Sequence, residues 1–289
     1  YLVWSLLYMA HTAWTTGDGS LWEPPLVGEY LFFGLASYHL YFLVILIWFY
    51  LLMPLWRAVV PALAARPLPG LAAVFVCQIA FNYWSSYCLA AATDNRCLRL
   101  AIEHRGNFWV FHYLFVFLLG AVCAVRLPAF TALLARRRRE TAAFFALALA
   151  AMLAAYYWLL DSRAYLPEEA VNTVHQLSPA GVVYTLAACL FWYSLFSRPL
   201  PPPVAAVGAL LARHSYAVYL VHPLVMHCLA ALFAACGLAM TAPAIAGFYA
   251  ATVAISVLFG VALHRLTPFV PAAGLLLTGS APKRVKPGT

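Results

Sequence analysis

The sequence predicts an all-α fold: a polytopic integral membrane protein with about eight transmembrane helices around an internal polar cavity. Three observations carry that expectation. Of the 289 residues, 65% are hydrophobic and only 9% charged, whereas ordinary soluble domains sit near ~45–50% and ~25%. One aqueous core cannot hide so much apolar surface. The apolar residues also come in runs close to the ~20 residues that cross ~30 Å of hydrocarbon. Finally, the joins between runs alternate between rich and poor in Lys and Arg.

The runs lie at 1–13, 38–56, 70–92, 108–125, 141–160, 178–197, 215–237 and 242–264. The first, opening "YLVWSLLYMA", starts in apolar sequence without the basic start of a signal peptide. It reads as a shortened span in a chain whose N-terminal part is absent. Between the first two runs, "GEYLFFGLAS" (28–37) is apolar but short, which suits an interfacial or re-entrant piece. Glycine and proline punctuate the later joins, as in "PLPG" (67–70) and "RPLPPP" (198–203). No fixed-period repeat or second water-soluble domain interrupts the pattern, so residues 1–289 read as one transmembrane domain ending in a basic tail, 266–289. Five of the seven cysteines lie in or beside apolar runs, where they pack as small hydrophobes, and no structural disulfide is expected.

Charge sets the expected orientation, because Lys and Arg accumulate in cytoplasmic loops. The joins after the second, fourth, sixth and eighth runs hold 13 of the 17 basic residues: Arg57, Arg66, Arg126, Arg136, Arg137, Arg138, Arg139, Arg198, Arg213, Arg265, Lys283, Arg284 and Lys286. The opposite side keeps eight of the nine acidic residues. Both ends of the chain are therefore expected in the cytoplasm. The run of four arginines at 136–139 reads as an anchor to anionic membrane lipid, not a nucleic-acid patch, since nothing beside it stacks bases or reads grooves. No nucleic-acid partner is expected, and the oligomeric state is not legible.

The seventh run carries polar groups that membrane core does not require. "HSYAVYLVHP" (214–223) holds two histidines, two tyrosines and a serine. On a helix entering the membrane near Ser215, the residues Ser215, Tyr219 and His222 fall at i, i+4 and i+7, one stripe reaching about 10 Å inward. Ionisable groups at that depth normally face a cavity or the bundle interior, although polar side chains also serve as plain hydrogen bonds between helices. Tyr38 and His39 form a second polar pair at the mouth of the second run, and Asn82 to Tyr87, "NYWSSY", form a third at the end of the next. The last mix suits either a sugar or an interfacial aromatic belt.

Taken together, "HLYFL" (39–43), "YLLMP" (50–54), "HYLFVFLLGAVCA" (112–124) and the set Ser215, Tyr216, Tyr219, Leu220, His222 and Pro223 resemble the membrane-bound acyltransferase-3 family. The likeness runs in order along essentially the whole chain. It implies transfer of an acyl group, usually acetyl, from cytoplasmic acyl-CoA (acetyl-CoA) to a hydroxyl of a cell-envelope carbohydrate or related acceptor, without a metal. The family's basic residue followed eleven positions later by a His has no counterpart here: no Arg or Lys in the sequence has a His eleven positions on. The main catalytic base is therefore expected upstream of Tyr1, and residues 1–289 alone are expected to show no transfer.

What remains suits supporting roles. A hydroxyl attacking a thioester must lose its proton as the bond forms, and a histidine is readily tuned for that. His222 and His39 are the catalytic candidates. Ser215, Tyr219, Tyr38, Asn82 and Trp84 are candidates for substrate binding, and Arg126 and Arg213 for the anionic phosphates of acyl-CoA. Two other classes stay open: a transporter or flippase of a glycan or small solute, which intramembrane polar groups also suit, and an inactive truncated paralogue.

The charge asymmetry makes a direct prediction. A cysteine introduced at Arg137 should be protected from an impermeant thiol reagent in intact cells and labelled once the membrane is opened; labelling in intact cells would reverse the orientation.

Overall fold

The computed structural model describes residues 1–89, 94–103, 109–174 and 177–279. Every regular element among them is helical, as lipid demands of a chain that must satisfy its backbone groups internally. In chain order the helices are α1 (Leu2–Thr16), α2 (Pro24–Phe33), α3 (Tyr41–Leu51), α4 (Met53–Ala65), α5 (Pro67–Tyr83), α6 (Arg96–Glu103), α7 (Leu114–Val125), α8 (Leu127–Arg136), α9 (Arg138–Arg163), α10 (Pro167–Thr173), α11 (Pro179–Phe196), α12 (Pro202–Ala235), α13 (Ala242–Leu266) and α14 (Pro271–Thr278). Contacts divide the chain into two units: Tyr1–Leu40 with Leu200–Thr289, and Tyr41–Pro199.

Among the described residues five helices are long and apolar enough to cross a membrane, or up to seven if two bent pairs each count as one span. The expected count of eight is not confirmed. Two reasons are visible. At 15 residues, α1 spans only about 22 Å at 1.5 Å per residue. The run at 38–56 is broken, with α3 and α4 bent by 76°, and the helix of the run at 108–125 is only 12 residues long, α8 turning away from its end by 101°. Each second half has a proline in its first turn, Pro54 and Pro128, which removes an N–H and crowds the preceding carbonyl. At the first break the Phe49 carbonyl, whose donor in a continuous helix would be the Met53 N–H, is taken by the indole N–H of Trp56 at 3.0 Å, so the bend is fixed by a new hydrogen bond. Phe49, Trp56 and Phe117 then close into an aromatic cluster, with Phe49 stacked on Phe117 at 4.2 Å.

In the second unit α9 and α11 lie antiparallel: Phe145 near the start of one stacks on Phe191 near the end of the other at 4.8 Å. Small residues allow the approach, Ala148 and Ala187 being buried. Away from that seam α9 is bare. Only 11% of its most apolar stretch is buried within the protein, so the remainder must be covered by lipid.

The first unit is built on the α12–α13 hairpin, closed at one end by Phe233 against Phe248 and at the other by His214 beside His264. The sequence expectation placed the start of the seventh span at residue 215, but α12 begins at Pro202 and runs 34 residues. A single Arg–His pair within alanine, leucine and valine does not end a helix, so Arg213 and His214 lie inside it. Against the hairpin pack α1 and α14, tied by the Trp4 indole N–H to the Leu277 carbonyl at 2.8 Å. Asp18 caps the turn after α1, and hydrogen bonds from Ser20 hold its carboxyl below the usual range. The expected basic tail thus starts with α14; its remainder, 280–289 with Lys283, Arg284 and Lys286, lies outside the described residues.

Gly260 sits where α12 and α13 touch. A Cβ added there would meet the Cβ atoms of His214 and Ala217 at 3.0 and 3.3 Å. Gly260→Val should therefore destabilise the first unit by about 1–3 kcal/mol, the usual penalty for overpacking. The check is the thermal midpoint in lipid nanodiscs, and no change would mean that the hairpin can part there freely.

Candidate active site

Proline in the middle of a helix cannot donate to the carbonyl four residues back. For Pro223, inside α12, that carbonyl belongs to Tyr219. Its lost partner is replaced locally: His222 Nδ1 lies 2.8 Å from the Tyr219 oxygen and 3.2 Å from that of Val218. Carbonyls only accept, so Nδ1 carries the proton. Nε2 of the neutral ring is then the acceptor, and the Tyr38 hydroxyl, 3.1 Å away, donates to it.

Tyr38 and His39 reach α12 because the chain turns sharply after α2. Gly34 takes a left-handed conformation with φ 73°, which glycine adopts without a Cβ clash, and a tight turn closes from Leu40 N to Ser37 O. His39 is buried, with Nδ1 3.1 Å from the Ser37 hydroxyl. Its Nε2 is buried without a well-formed hydrogen bond. The carbonyl of Leu220 beside it already accepts from Tyr8 at 2.7 Å. The Tyr219 hydroxyl donates to the His39 carbonyl at 2.5 Å, joining the turn to α12. The His39 ring lies 5.2 Å from that of His222, 5.0 Å from Tyr219 and 5.4 Å from Tyr8. Tyr38 stays 66% exposed, so the group resting on His222 Nε2 can be displaced from outside.

Of the residues singled out from sequence, His222, His39, Tyr219 and Tyr38 come together. Ser215 does not join them: its exposed hydroxyl donates to the Ala212 carbonyl of its own helix. Arg213 lines a separate small cavity of ≈100 Å³ with His214, Tyr216, His264, Thr267 and Thr278. Asn82 and Trp84 belong to the second unit, where Asn82 is fully buried and Trp84 is 44% exposed. Arg126 is exposed at the break between α7 and α8. Sequence reasoning missed Tyr8 and Met226, whose sulfur lies 3.9 Å from the Tyr38 oxygen. Each is one apolar-run residue among many, and nothing in the local pattern says which helix it meets. Among the described residues no group of three or more His, Cys, Asp or Glu could hold a metal ion.

Comparison with protein families gives one decisive result: a family model described as an acyltransferase domain, acyltransferase-3, matches residues 1–261. The chain belongs to the acyltransferase-3 family. The match takes in all the residues of the His39–His222 cluster, and comparisons with curated proteins and with solved structures returned no match. This acyltransferase-3 domain is thus a multi-helix membrane protein and, at the level of its family, an acyltransferase.

Because Pro223 frees the acceptor that orients His222, Pro223→Ala should uncouple stability from activity. A regular helix gains the missing bond and the thermal midpoint rises, whereas His222 must share the Tyr219 carbonyl. Losing one hydrogen bond of about 1 kcal/mol predicts roughly a fivefold drop in acyl transfer, and ring ¹⁵N shifts should show His222 in mixed tautomers. A single unchanged tautomer would show that the proline does not set the ring.

Proposed function

We propose that the protein transfers an acyl group, acetyl in the simplest case, from acyl-CoA to a hydroxyl of a cell-envelope carbohydrate or related acceptor. The observation that supports this furthest is His222: a neutral ring with its Nδ1 proton committed to the backbone and its Nε2 lone pair covered only by an exposed, exchangeable phenol. In this reading His222 takes the role of base, in place of the supporting role expected of it from the sequence: an acceptor hydroxyl replacing Tyr38 on Nε2 gives up its proton there as its oxygen bonds to the thioester carbon. The carbon–sulfur bond then breaks, and the proton returns to the departing thiolate. His39 buttresses the ring edge-on, and the Tyr219 bond to its carbonyl keeps both rings in register.

The donor's phosphates suit the far end of the same helix. Arg213 precedes His222 by nine residues, about 14 Å along the axis. The cavity it lines brings the Arg213 guanidinium together with His214, His264 and the threonine residues 267 and 278, one cation among hydrogen-bonding side chains that fit an anionic oxygen cluster. Acetyl-CoA is the donor this arrangement favours. Both ends of the chain would then lie in the cytoplasm, in keeping with the loop charges.

The reading is tested by His222→Ala in the full-length protein, following release of free CoA thiol from acetyl-CoA. Acid–base and oxyanion contributions are typically ~10²-fold or more, so specific activity should fall by at least that factor while folded yield holds. A variant whose yield falls but whose activity per folded molecule is unchanged would reduce His222 to a structural role.

A further inference from the structure

The second unit contains a cavity that the chemistry at His222 does not use. Its volume is ≈320 Å³, and its walls are mainly Phe42, Ile45, Phe49, Val116, Phe117 and Val182, from α3, α7 and α11. Phe42 is 45% exposed, so the cavity reaches the apolar exterior. Polar side chains interrupt that lining at Tyr41, His112, Tyr113, Thr185 and Gln78. Gln78 of α5 lines the space with only 3% of its surface exposed. Its Oε1 accepts the Phe115 N–H at 2.6 Å, one of the first-turn donors of α7 that the helix itself cannot satisfy. A side-chain NH₂ cannot accept, so the amide orientation is fixed. Nε2 therefore carries two protons into the interior, and it has no hydrogen-bond partner. An unmet donor in a membrane interior is expensive and rare.

We infer that this cavity binds an acyl chain bearing a carbonyl oxygen, with the Gln78 Nε2 proton donated to that oxygen. The mainly apolar wall selects hydrocarbon, and the unmet donors, Gln78 Nε2 and the Tyr113 hydroxyl on the same lining, select an acceptor oxygen without charge. The volume stands at the small end of ligand cavities, ~300–1,000 Å³. At the ~30 Å³ of liquid that a water occupies, it holds about ten non-hydrogen atoms. That suits part of a single chain and excludes a whole two-chain lipid or an oligosaccharide. Entry past Phe42 is from the bilayer side. Two sources share this chemistry: the ester of a membrane lipid, and a free fatty acid held in its protonated, uncharged form. The site is independent of the transfer reaction proposed above.

The test uses the full-length protein in nanodiscs with three diazirine probes of equal chain length: a free fatty acid, a phosphatidylcholine carrying that chain, and the corresponding alkane. Cross-links should concentrate on peptides containing Val116 and Val182 and be lost in Val116→Trp, which fills the space. Competition by unlabelled oleate identifies a free acid as occupant, and labelling by the phosphatidylcholine probe that resists oleate identifies the lipid ester. Gln78→Leu should cut labelling by the carbonyl probes about tenfold and leave the alkane unchanged. Because that variant also strips the cap from Phe115, the wild-type comparison stands beside it: equal labelling by alkane and carbonyl probes overturns the role of Gln78. Labels spread evenly over the outer helices overturn the site itself.

Discussion

A hydrocarbon solvent supplies no hydrogen bonds, and that one constraint orders the rest of this structure. Wherever a proline removes an N–H, the carbonyl it leaves must find another donor within the protein. At Pro223 the donor found is the imidazole of the preceding residue. The ring is thereby fixed at one nitrogen and opened at the other. The interaction that repairs the helix also selects the tautomer able to take a proton, so scaffold and candidate chemistry cannot be separated at this position.

The pairing of α12 with the turn at Ser37–Leu40 depends on the same economy of donors. The Tyr219 hydroxyl satisfies the His39 carbonyl, and the Tyr8 hydroxyl satisfies that of Leu220. Tyrosine is suited to such joints because its ring packs among apolar side chains while its tip still donates. Three aromatic rings, Tyr8, Tyr219 and His222, surround His39 at centroid distances of 5.0–5.4 Å. They exclude lipid from a buried imidazole without offering it a countercharge.

Composition made the helical membrane class legible, since 65% hydrophobic residues leave few alternatives. The number of spans was less legible. Hydropathy averages over a window and passes through Pro54, where the chain bends by 76°, and it cannot show that the helix of the run at 108–125 is only the 12 residues of α7. At the site, the stripe rule brought out Tyr219 and His222, and the polar pair at the mouth of the second run brought out Tyr38 and His39. The same rule included Ser215, which fails for a local reason: a hydroxyl on a helix can donate to a carbonyl of the preceding turn and then needs no partner across the bundle. Tyr8 and Gln78 were illegible because their roles are set by which helices meet, and a single sequence with uniformly apolar runs does not encode that pairing in any local pattern.

The two repaired carbonyls show why one proline break serves structure and the other can serve chemistry. After the break at Leu52, the Phe49 carbonyl is taken by the Trp56 indole. An indole has a single N–H and no lone pair to offer, so once it has donated it is spent, and it can only hold α4 against α3. At Pro223 the repairing ring is imidazole, whose second nitrogen becomes an acceptor as a direct consequence of the first having donated. Exchanging the two donors would leave both bends equally well satisfied. It would remove from α12 the Nε2 lone pair on which Tyr38 rests and which a substrate hydroxyl would meet in its place. The choice of histidine over tryptophan at a helix break is thus what turns a backbone repair into a candidate reactive centre.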